Sequence, residues 1–268
     1  MFLQIQLELQ DELKRAAHAC ADAARIETLR YFRADGLAAD NKEADGFDPV
    51  TEGDRAAEAA IRTVLAELRP DDAILGEEEG AKAGTSGLTW VLDPIDGTRG
   101  YLAGTPTWGT LIAVGPETGP IYGMIDQPYI GERFEGGFGT ARMEGPQGAK
   151  SLQVSATRTL SDAILFTTFP EVGTTAERKS FEAVAAKAKL TRYGVDCYAY
   201  ALVAGGHADL VIEAGLQAYD IQGPLAVVQG AGGIVTDWQG GPAHEGGTAI
   251  AAATPELHAA ALELLNGG

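Results

Sequence analysis

The stretch Trp90-Val91-Leu92-Asp93-Pro94-Ile95-Asp96-Gly97-Thr98 constrains this chain more than any other. Trp90, Val91 and Leu92 form a short apolar run of the kind that ends a buried strand. Asp93 and Pro94 are expected to stop it, because proline has no backbone donor for a central ladder. Asp96-Gly97-Thr98 then reads as a turn into a helix start. Two carboxylates are thereby held close together at a strand end. At about 4 Å, two like charges repel by roughly 1 kcal/mol in water and about 4 kcal/mol at an effective dielectric of about 20. Such a pair is tolerable when a hard cation bridges the oxygens, or when one acid keeps its proton. An ordinary Asp-Gly turn followed by a helix cap accounts for the same residues, so this stretch alone leaves both readings open.

The rest of the chain narrows the choice. Its 268 residues, 45% of them apolar, suffice for one large domain made of two packed halves that meet at about residue 150. No run of about 18 apolar residues occurs, so no membrane span is expected. Residues 1–10 lack the basic start of a secretory signal. With only Cys20 and Cys197, a disulfide framework is not expected and a reducing cytoplasm is. A net charge of -18 disfavours sequence-independent nucleic-acid binding, which rests on Lys and Arg against phosphates. An anionic substrate would then be held by metal ions or by helix N-termini. Zinc is disfavoured because His18, His207, His244 and His258 are scattered and no Cys-x-x-Cys exists.

Periodicity predicts an amphipathic helix from Leu9 to about Phe32, with Leu13, Ala16, Ala17, Cys20 and Ala24 on one face. Residues 35–47 read as a mobile polar loop containing Lys42. A second helix follows Asp54 on Ala57, Ile61, Val64, Leu65 and Leu68, ended by Pro70. Ala73-Ile74-Leu75 reads as a short strand running into Gly76-Glu77-Glu78-Glu79. Strands at 107–114, 120–126 and 132–138, separated by turn residues, predict an antiparallel or mixed sheet. Beyond them come a strand at 162–168, a helix at 176–188, and alternation: strand 190–193, helix 198–204, strand 208–212, a helix opening near Asp220, strand 233–236. Thr254-Pro255-Glu256 is a helix start with a capping hydroxyl and proline in the first turn. Gly230-Ala231-Gly232-Gly233 has the wrong spacing for a dinucleotide fingerprint. The order suits an α+β or layered sandwich better than a purely doubly wound fold.

Four further acids stand at element ends instead of on solvated helix faces: Glu77 and Glu78 after a strand, Asp48 before Val50-Thr51, and Asp220 at a helix start. The blocks Asp48-Pro49-Val50-Thr51, Gly76-Glu77-Glu78, Asp93-Pro94-Ile95-Asp96-Gly97-Thr98 and Tyr219-Asp220 resemble, in order and spacing, the inositol monophosphatase superfamily. That resemblance covers nearly the whole chain. It implies an αβαβα layered sandwich with mixed sheets, a homodimer, and Mg2+-dependent hydrolysis of a small phosphate monoester. It further implies that Glu77, Asp93 and the Ile95 carbonyl hold one Mg2+ ion, that Asp93, Asp96 and Asp220 hold a second, and that Glu77 with waters holds a weaker third. Magnesium takes oxygen ligands and keeps several waters, which suits carboxylates plus phosphate. Two ions can flank a transferring phosphoryl group. By the same resemblance the amides of Gly97 and Thr98 hold phosphate oxygens, and Asp96 and Asp220 also border the substrate. Thr98 and Asp48, with Glu77, activate the attacking water, and Lys42 sits in a loop that covers the site. An aspartyl-phosphate mechanism is disfavoured, since that chemistry uses Asp-x-Asp and here two residues separate Asp93 from Asp96.

The substrate reading rests on departures from the inositol-type pattern. Arg99-Gly100-Tyr101-Leu102, Gly194-Val195-Asp196-Cys197-Tyr198-Ala199-Tyr200, Tyr219-Asp220 and Thr236-Asp237-Trp238 resemble the histidinol-phosphatase branch. Glu213 aligns with the family glutamate that meets the organic moiety, and Asp196 is expected beside it, although a helix-capping role for Asp196 stays open. Both acids would pair with the amine and imidazole of L-histidinol phosphate through charge-assisted hydrogen bonds. Hydrolysis of inositol 1-phosphate or of a bisphosphate nucleotide is the alternative. A regulatory binding protein is another, disfavoured because an adaptor has no use for a preserved set of ligand acids.

Overall fold

The structure, a computed structural model, describes residues 7–41 and 49–267; the expectations for Lys42 and Asp48 lie outside them. Seven α-helices are found among the described residues: α1 (Leu7–Tyr31), α2 (Glu52–Leu68), α3 (Thr98–Ala103), α4 (Thr175–Ala185), α5 (Tyr198–Ala204), α6 (Ala218–Gly230) and α7 (Pro255–Asn266). The strands are β1 (Ala39–Asn41), β2 (Pro49–Thr51), β3 (Ala73–Gly76), β4 (Gly80–Lys82), β5 (Thr89–Asp96), β6 (Gly109–Gly115), β7 (Tyr122–Gln127) and β8 (Glu132–Gly137). They continue with β9 (Thr140–Gly145), β10 (Gly148–Ser151), β11 (Ile164–Thr167), β12 (Leu190–Tyr193), β13 (Leu210–Leu216), β14 (Ile234–Thr236) and β15 (Gly247–Ala252). One sheet has eight strands in the order β10-β9-β8-β7-β6-β5-β3-β4, a second has five in the order β12-β11-β13-β15-β14, and β1 pairs with β2. Both larger sheets are mixed: β3 runs parallel to β5 and β11 parallel to β12 and β13, while the remaining pairings are antiparallel.

Strand alternation assigns each sheet face to a layer. From the eight-stranded sheet, Trp90, Leu92, Ile112, Val114 and Met124 face α1 and α2, packing on Leu13, Cys20, Ala57, Ile61 and Leu65. The opposite face turns Leu111, Ile125 and Phe134 toward α5, α6 and the five-stranded sheet, which supplies Val211, Ala249 and Ala251. Leu210, Ile212, Ile250 and Ala252 point the other way, against Phe181 of α4 and Leu257, Ala261 and Leu265 of α7. The layers are therefore helix pair, sheet, helix pair, sheet, helix pair: an αβαβα sandwich with α6 at its centre.

Three sequence expectations are corrected. Pro94 does not end its strand, because β5 runs on to Asp96 with a register shift between Asp93 and Asp96 against β6. A bulge of this kind removes the need for the proline N–H, and the Pro94 carbonyl accepts from Thr110 Oγ1 at 2.8 Å instead. The polar segment after residue 35 is not loop throughout, since Ala39–Asn41 forms β1 and its Ala39 and Asp40 lie opposite Thr51 and Val50. The helix expected to open near Asp220 starts two residues earlier, so Asp220 occupies the third position of α6, behind Gln217, and accepts the Gln217 N–H at 2.7 Å. Strands β4, β9, β10 and β15 carry too few large apolar residues to have stood out by alternation.

Contact between α6 and the eight-stranded sheet is backbone-close. A Cβ on Gly136 would lie 2.4 Å from the Ala226 carbonyl oxygen and 2.5 Å from Val227 Cα, with no flexible side chain to yield. Gly136→Ala is therefore expected to destabilise the chain by about 1–3 kcal/mol, the usual cost of overpacking. A lowered urea midpoint with an unchanged slope would show it.

Candidate active site

Four elements bring the acids together. The bulged end of β5 delivers Asp93 and Asp96, the turn after β3 delivers Glu77, the first turn of α6 delivers Asp220, and β13 delivers Glu213. Together with Asp196, which precedes α5, these six line one cavity of about 280 Å³. Ile95, Gly97, Thr98, Arg99, Thr168 and Phe169 line it too. A larger and mostly apolar cavity of about 810 Å³, between Leu88, Pro120, Leu225 and Pro242, holds none of these acids.

Hydrogen bonds fix the direction of Asp93, Asp96, Asp220 and Glu213. Asp93, 3% exposed, accepts the Ile95 N–H on Oδ1 at 3.0 Å. Asp96 accepts the Cys197 N–H on Oδ2 at 2.7 Å. Asp93, Asp96 and Asp220 each offer a carboxylate oxygen within 4.8 Å of the other two. Glu77 stands beside Asp93, and its own N–H meets the Leu92 carbonyl at 3.2 Å. Thr98 Oγ1 donates to the Ile95 carbonyl at 3.1 Å, which puts two residues singled out from the sequence in direct contact. Gly97 makes the turn at a φ of 85°, in the left-handed region that favours glycine. A side chain there would also meet Asp196, whose Cγ lies 2.7 Å from the missing Cβ.

Asp196 does not cap α5. It adopts a φ of 47°, and Cys197 holds the N-cap position. The strained backbone turns its carboxylate toward Gly97 and Gly100. Glu213, 7% exposed, accepts three hydrogen bonds: Thr168 N–H at 2.7 Å, Thr168 Oγ1 at 2.9 Å and Thr167 Oγ1 at 3.1 Å.

Electrostatically the site resists full ionisation. Burial pushes the Asp93 carboxyl well above the usual range, and Glu77, Asp96 and Asp220 push it further. Asp96 is raised as well, by burial and then by Asp196 and Asp220, against the Cys197 N–H bond. Burial lifts Asp196 to about 6, opposed by the Arg99 guanidinium. Glu213 is lifted to about 7 by burial, against its Thr168 and Thr167 hydrogen bonds. Arg99 is the one basic side chain among the described lining residues, and its guanidinium lies 4.9 Å from the centre of the Phe169 ring. Sequence reading missed Thr168 and Phe169, and used Arg99 only as part of the Arg99-Gly100-Tyr101-Leu102 block, because roughly seventy positions separate them and no local pattern joins them. The three clustered aspartates offer oxygen donors only. That composition fits a hard cation such as magnesium, calcium or manganese, and fits neither zinc nor copper.

The sequence profile of the Inositol monophosphatase family matches residues 9–267. The chain belongs to this family. Membership places it among the phosphatases that hydrolyse phosphoric monoesters. It is 42% identical over 242 residues to the chloroplastic bifunctional phosphatase IMPL2 of Arabidopsis thaliana, covering 87% of this chain and 67% of that one. It is 37% identical to a histidinol-phosphatase of Streptomyces coelicolor, covering 94% of this chain and 96% of that one. A solved inositol monophosphatase from Zymomonas mobilis superposes with a TM-score of 0.84 at 36% identity, over 97% of this chain and 99% of that one. No described helix is long and apolar enough to cross a membrane.

Glu213 supplies a pH test. Its carboxyl holds a proton more tightly in the folded chain than in the unfolded one, where it titrates near 4.5. The folded state therefore binds more protons between about pH 4.5 and 7, and its stability falls as pH rises through that window. Glu213→Gln removes this term and keeps an acceptor for Thr168, while Thr167 Oγ1 can turn to accept. In metal-free protein the melting temperature of Glu213→Gln is expected to vary less with pH across the window than that of the wild type. Parallel curves for the two would contradict the burial argument.

Proposed function

We propose that this chain is a Mg2+-dependent phosphomonoesterase that hydrolyses L-histidinol phosphate to L-histidinol and phosphate, a step of histidine synthesis, and that it works as a cytoplasmic homodimer. The observation that carries this reading is the split of the six cavity acids into two groups. Asp93, Asp96 and Asp220 offer carboxylate oxygens within 4.8 Å of one another, with Glu77 beside Asp93, whereas Asp196 and Glu213 stand outside that trio and reach the cavity from the start of α5 and from β13.

In this reading Glu77, Asp93, Asp96, Asp220 and the Ile95 carbonyl hold two to three Mg2+ ions. Bound magnesium would neutralise phosphate charge and make a coordinated water more acidic. The chain's own groups do the rest. Amides of Gly97 and Thr98 orient phosphate oxygens. Thr98 Oγ1, already directed at the Ile95 carbonyl, aligns the attacking water, with Glu77 behind it. Asp48 takes the water's proton, a role assigned from its place in the sequence. The new P–O bond forms as the ester P–O bond breaks, and the departing alkoxide is protonated from solvent. No phosphoenzyme is formed.

At the other end, Asp196 and Glu213 supply acceptors for an amine and an imidazole. Histidinol phosphate gains two charge-assisted contacts there, of a kind about twice as strong as neutral hydrogen bonds. A polyol phosphate offers neutral hydroxyls to the same acids. Similarity to a protein named histidinol-phosphatase over nearly the full length of both chains supports this choice. The Zymomonas inositol monophosphatase keeps inositol 1-phosphate as the second reading.

Phosphate release from histidinol phosphate, inositol 1-phosphate and a bisphosphate nucleotide, each with and without Mg2+, tests the reading. Histidinol phosphate is expected to give the highest kcat/KM, and only with Mg2+. Preference for inositol 1-phosphate overturns the substrate assignment. Asp93→Asn is expected to lower kcat by at least about a hundredfold, since loss of a partner one step removed from a metal already costs about 10–100-fold. Steady-state kinetics at several Mg2+ concentrations would measure it.

A further inference from the structure

The turn that carries Glu77 is held from the neighbouring helix. Glu58, in the middle of α2, is an acid that is 0% exposed. Burying a carboxylate is costly unless it is paired and hydrogen-bonded. Here two of its bonds go to the residues just after β3 and a third to Arg62 on its own helix. Its Oε2 accepts the Glu78 N–H at 2.7 Å, and its Oε1 accepts the Glu79 N–H at 3.0 Å and Arg62 Nε at 2.8 Å. Arg62 in turn donates from Nη2 to the Gly80 carbonyl at 2.5 Å and pairs with the Glu79 carboxylate at 3.5 Å. On the other side, the Glu77 N–H is tied to Leu92 of β5.

Gly76 makes this reach possible. A Cβ at that position would lie 2.0 Å from Glu58 Oε1 and 2.5 Å from its Cδ. The carboxylate passes to the turn only because residue 76 has no side chain. The sequence step Gly76-Glu77 thus couples an opening for Glu58 to the acid that the turn presents.

We propose that Glu58, braced by Arg62, is a positioning residue that aims the Glu77 carboxylate at the cation site; the proposal rests on reading that site as a Mg2+ centre. Glu58 is not itself a ligand, because its oxygens are taken by N–H donors. Outer partners of metal ligands typically govern about 10–100-fold of metal affinity. Glu58→Gln replaces one acceptor oxygen with an amide NH2 facing N–H donors, so the brace cannot form in full.

The test is titration calorimetry of Mg2+ into wild-type and variant chains, with kinetics at saturating Mg2+ and far-ultraviolet circular dichroism. For Glu58→Gln the dissociation constant for Mg2+ is expected to rise by about 10- to 100-fold. Its kcat should return toward the wild-type value once Mg2+ saturates, with an unchanged spectrum. Gly76→Ala, which displaces the same carboxylate without altering it, is expected to give the same shift. Wild-type affinity in a folded Glu58→Gln overturns the proposal, as does a loss of kcat that saturating Mg2+ does not restore. If Glu58→Gln fails to fold, Arg62→Lys decides, because lysine lacks the fork that spans Glu58 and Gly80. Saturable Mg2+ binding absent from the wild type would sink the metal reading itself, a result distinct from wild-type binding that the variants leave unchanged.

Discussion

Mutual repulsion among carboxylates at one end of the two sheets is the constraint that the rest of the architecture answers. Left to themselves, Asp93, Asp96 and Asp220 would separate or take up protons, and the raised proton affinities of Asp93 and Asp96 express that strain. Main-chain donors hold them together. Ile95 donates to Asp93, Cys197 to Asp96, Gln217 to Asp220, and Thr168 to Glu213. An N–H donor fixes a carboxylate's direction without cancelling its charge, so the cluster stays both ordered and strongly attractive to cations. A lysine or arginine in the same role would have neutralised the site.

Placement follows from the layers. Asp93 and Asp96 straddle a bulge, and a bulge re-aims side chains that a regular ladder would send to opposite faces. Asp220 is brought to the same spot by α6, which lies at backbone distance from the eight-stranded sheet because Gly136 interposes no side chain. The central helix is thus both the packing element between the sheets and the carrier of a site residue. The same economy recurs at the β3 turn, where Glu58 and Arg62 spend a buried ion pair on holding main chain instead of on joining two layers.

Local signals in the sequence revealed the acids, and long-range ones did not reveal their supports. Asp93-Pro94-Ile95-Asp96-Gly97-Thr98 is a contiguous block whose spacing already implies convergence, and α1, α2 and α7 announce themselves by apolar period or by capping residues. Pro94 misled because the rule against proline in a ladder has a bulge as its exception, and a bulge is a property of register with another strand. Asp196 was legible as an acid but not as a residue at positive φ, a conformation that places its carboxylate beside Gly97 and Gly100, about a hundred positions away. Thr167, Thr168 and Phe169 gave no signal, because no local pattern joins them to the acids. Weakly apolar strands such as β10 and β15 were invisible because they owe their pairing to a neighbour, not to their own pattern.

Charge balance bears on which organic group the cavity accepts. Two divalent ions would offset the four acids around the β5 bulge, leaving Asp196 and Glu213 against the single guanidinium of Arg99. A phosphate monoester adds further negative charge to that surplus. With a neutral alcohol attached, the complex is left anionic in a partly buried site, and the two spare acids relieve this only by taking protons, which their values of about 6 and about 7 permit. With an ammonium or imidazolium attached, the substrate brings its own counter-charge and the two acids ionise against it. Under the proposed function, binding a cationic alcohol phosphate would then be coupled to proton release from Asp196 and Glu213. With two ions bound, the cavity would hold two more carboxylates than the metal neutralises, and those two acids set the charge that the organic group meets.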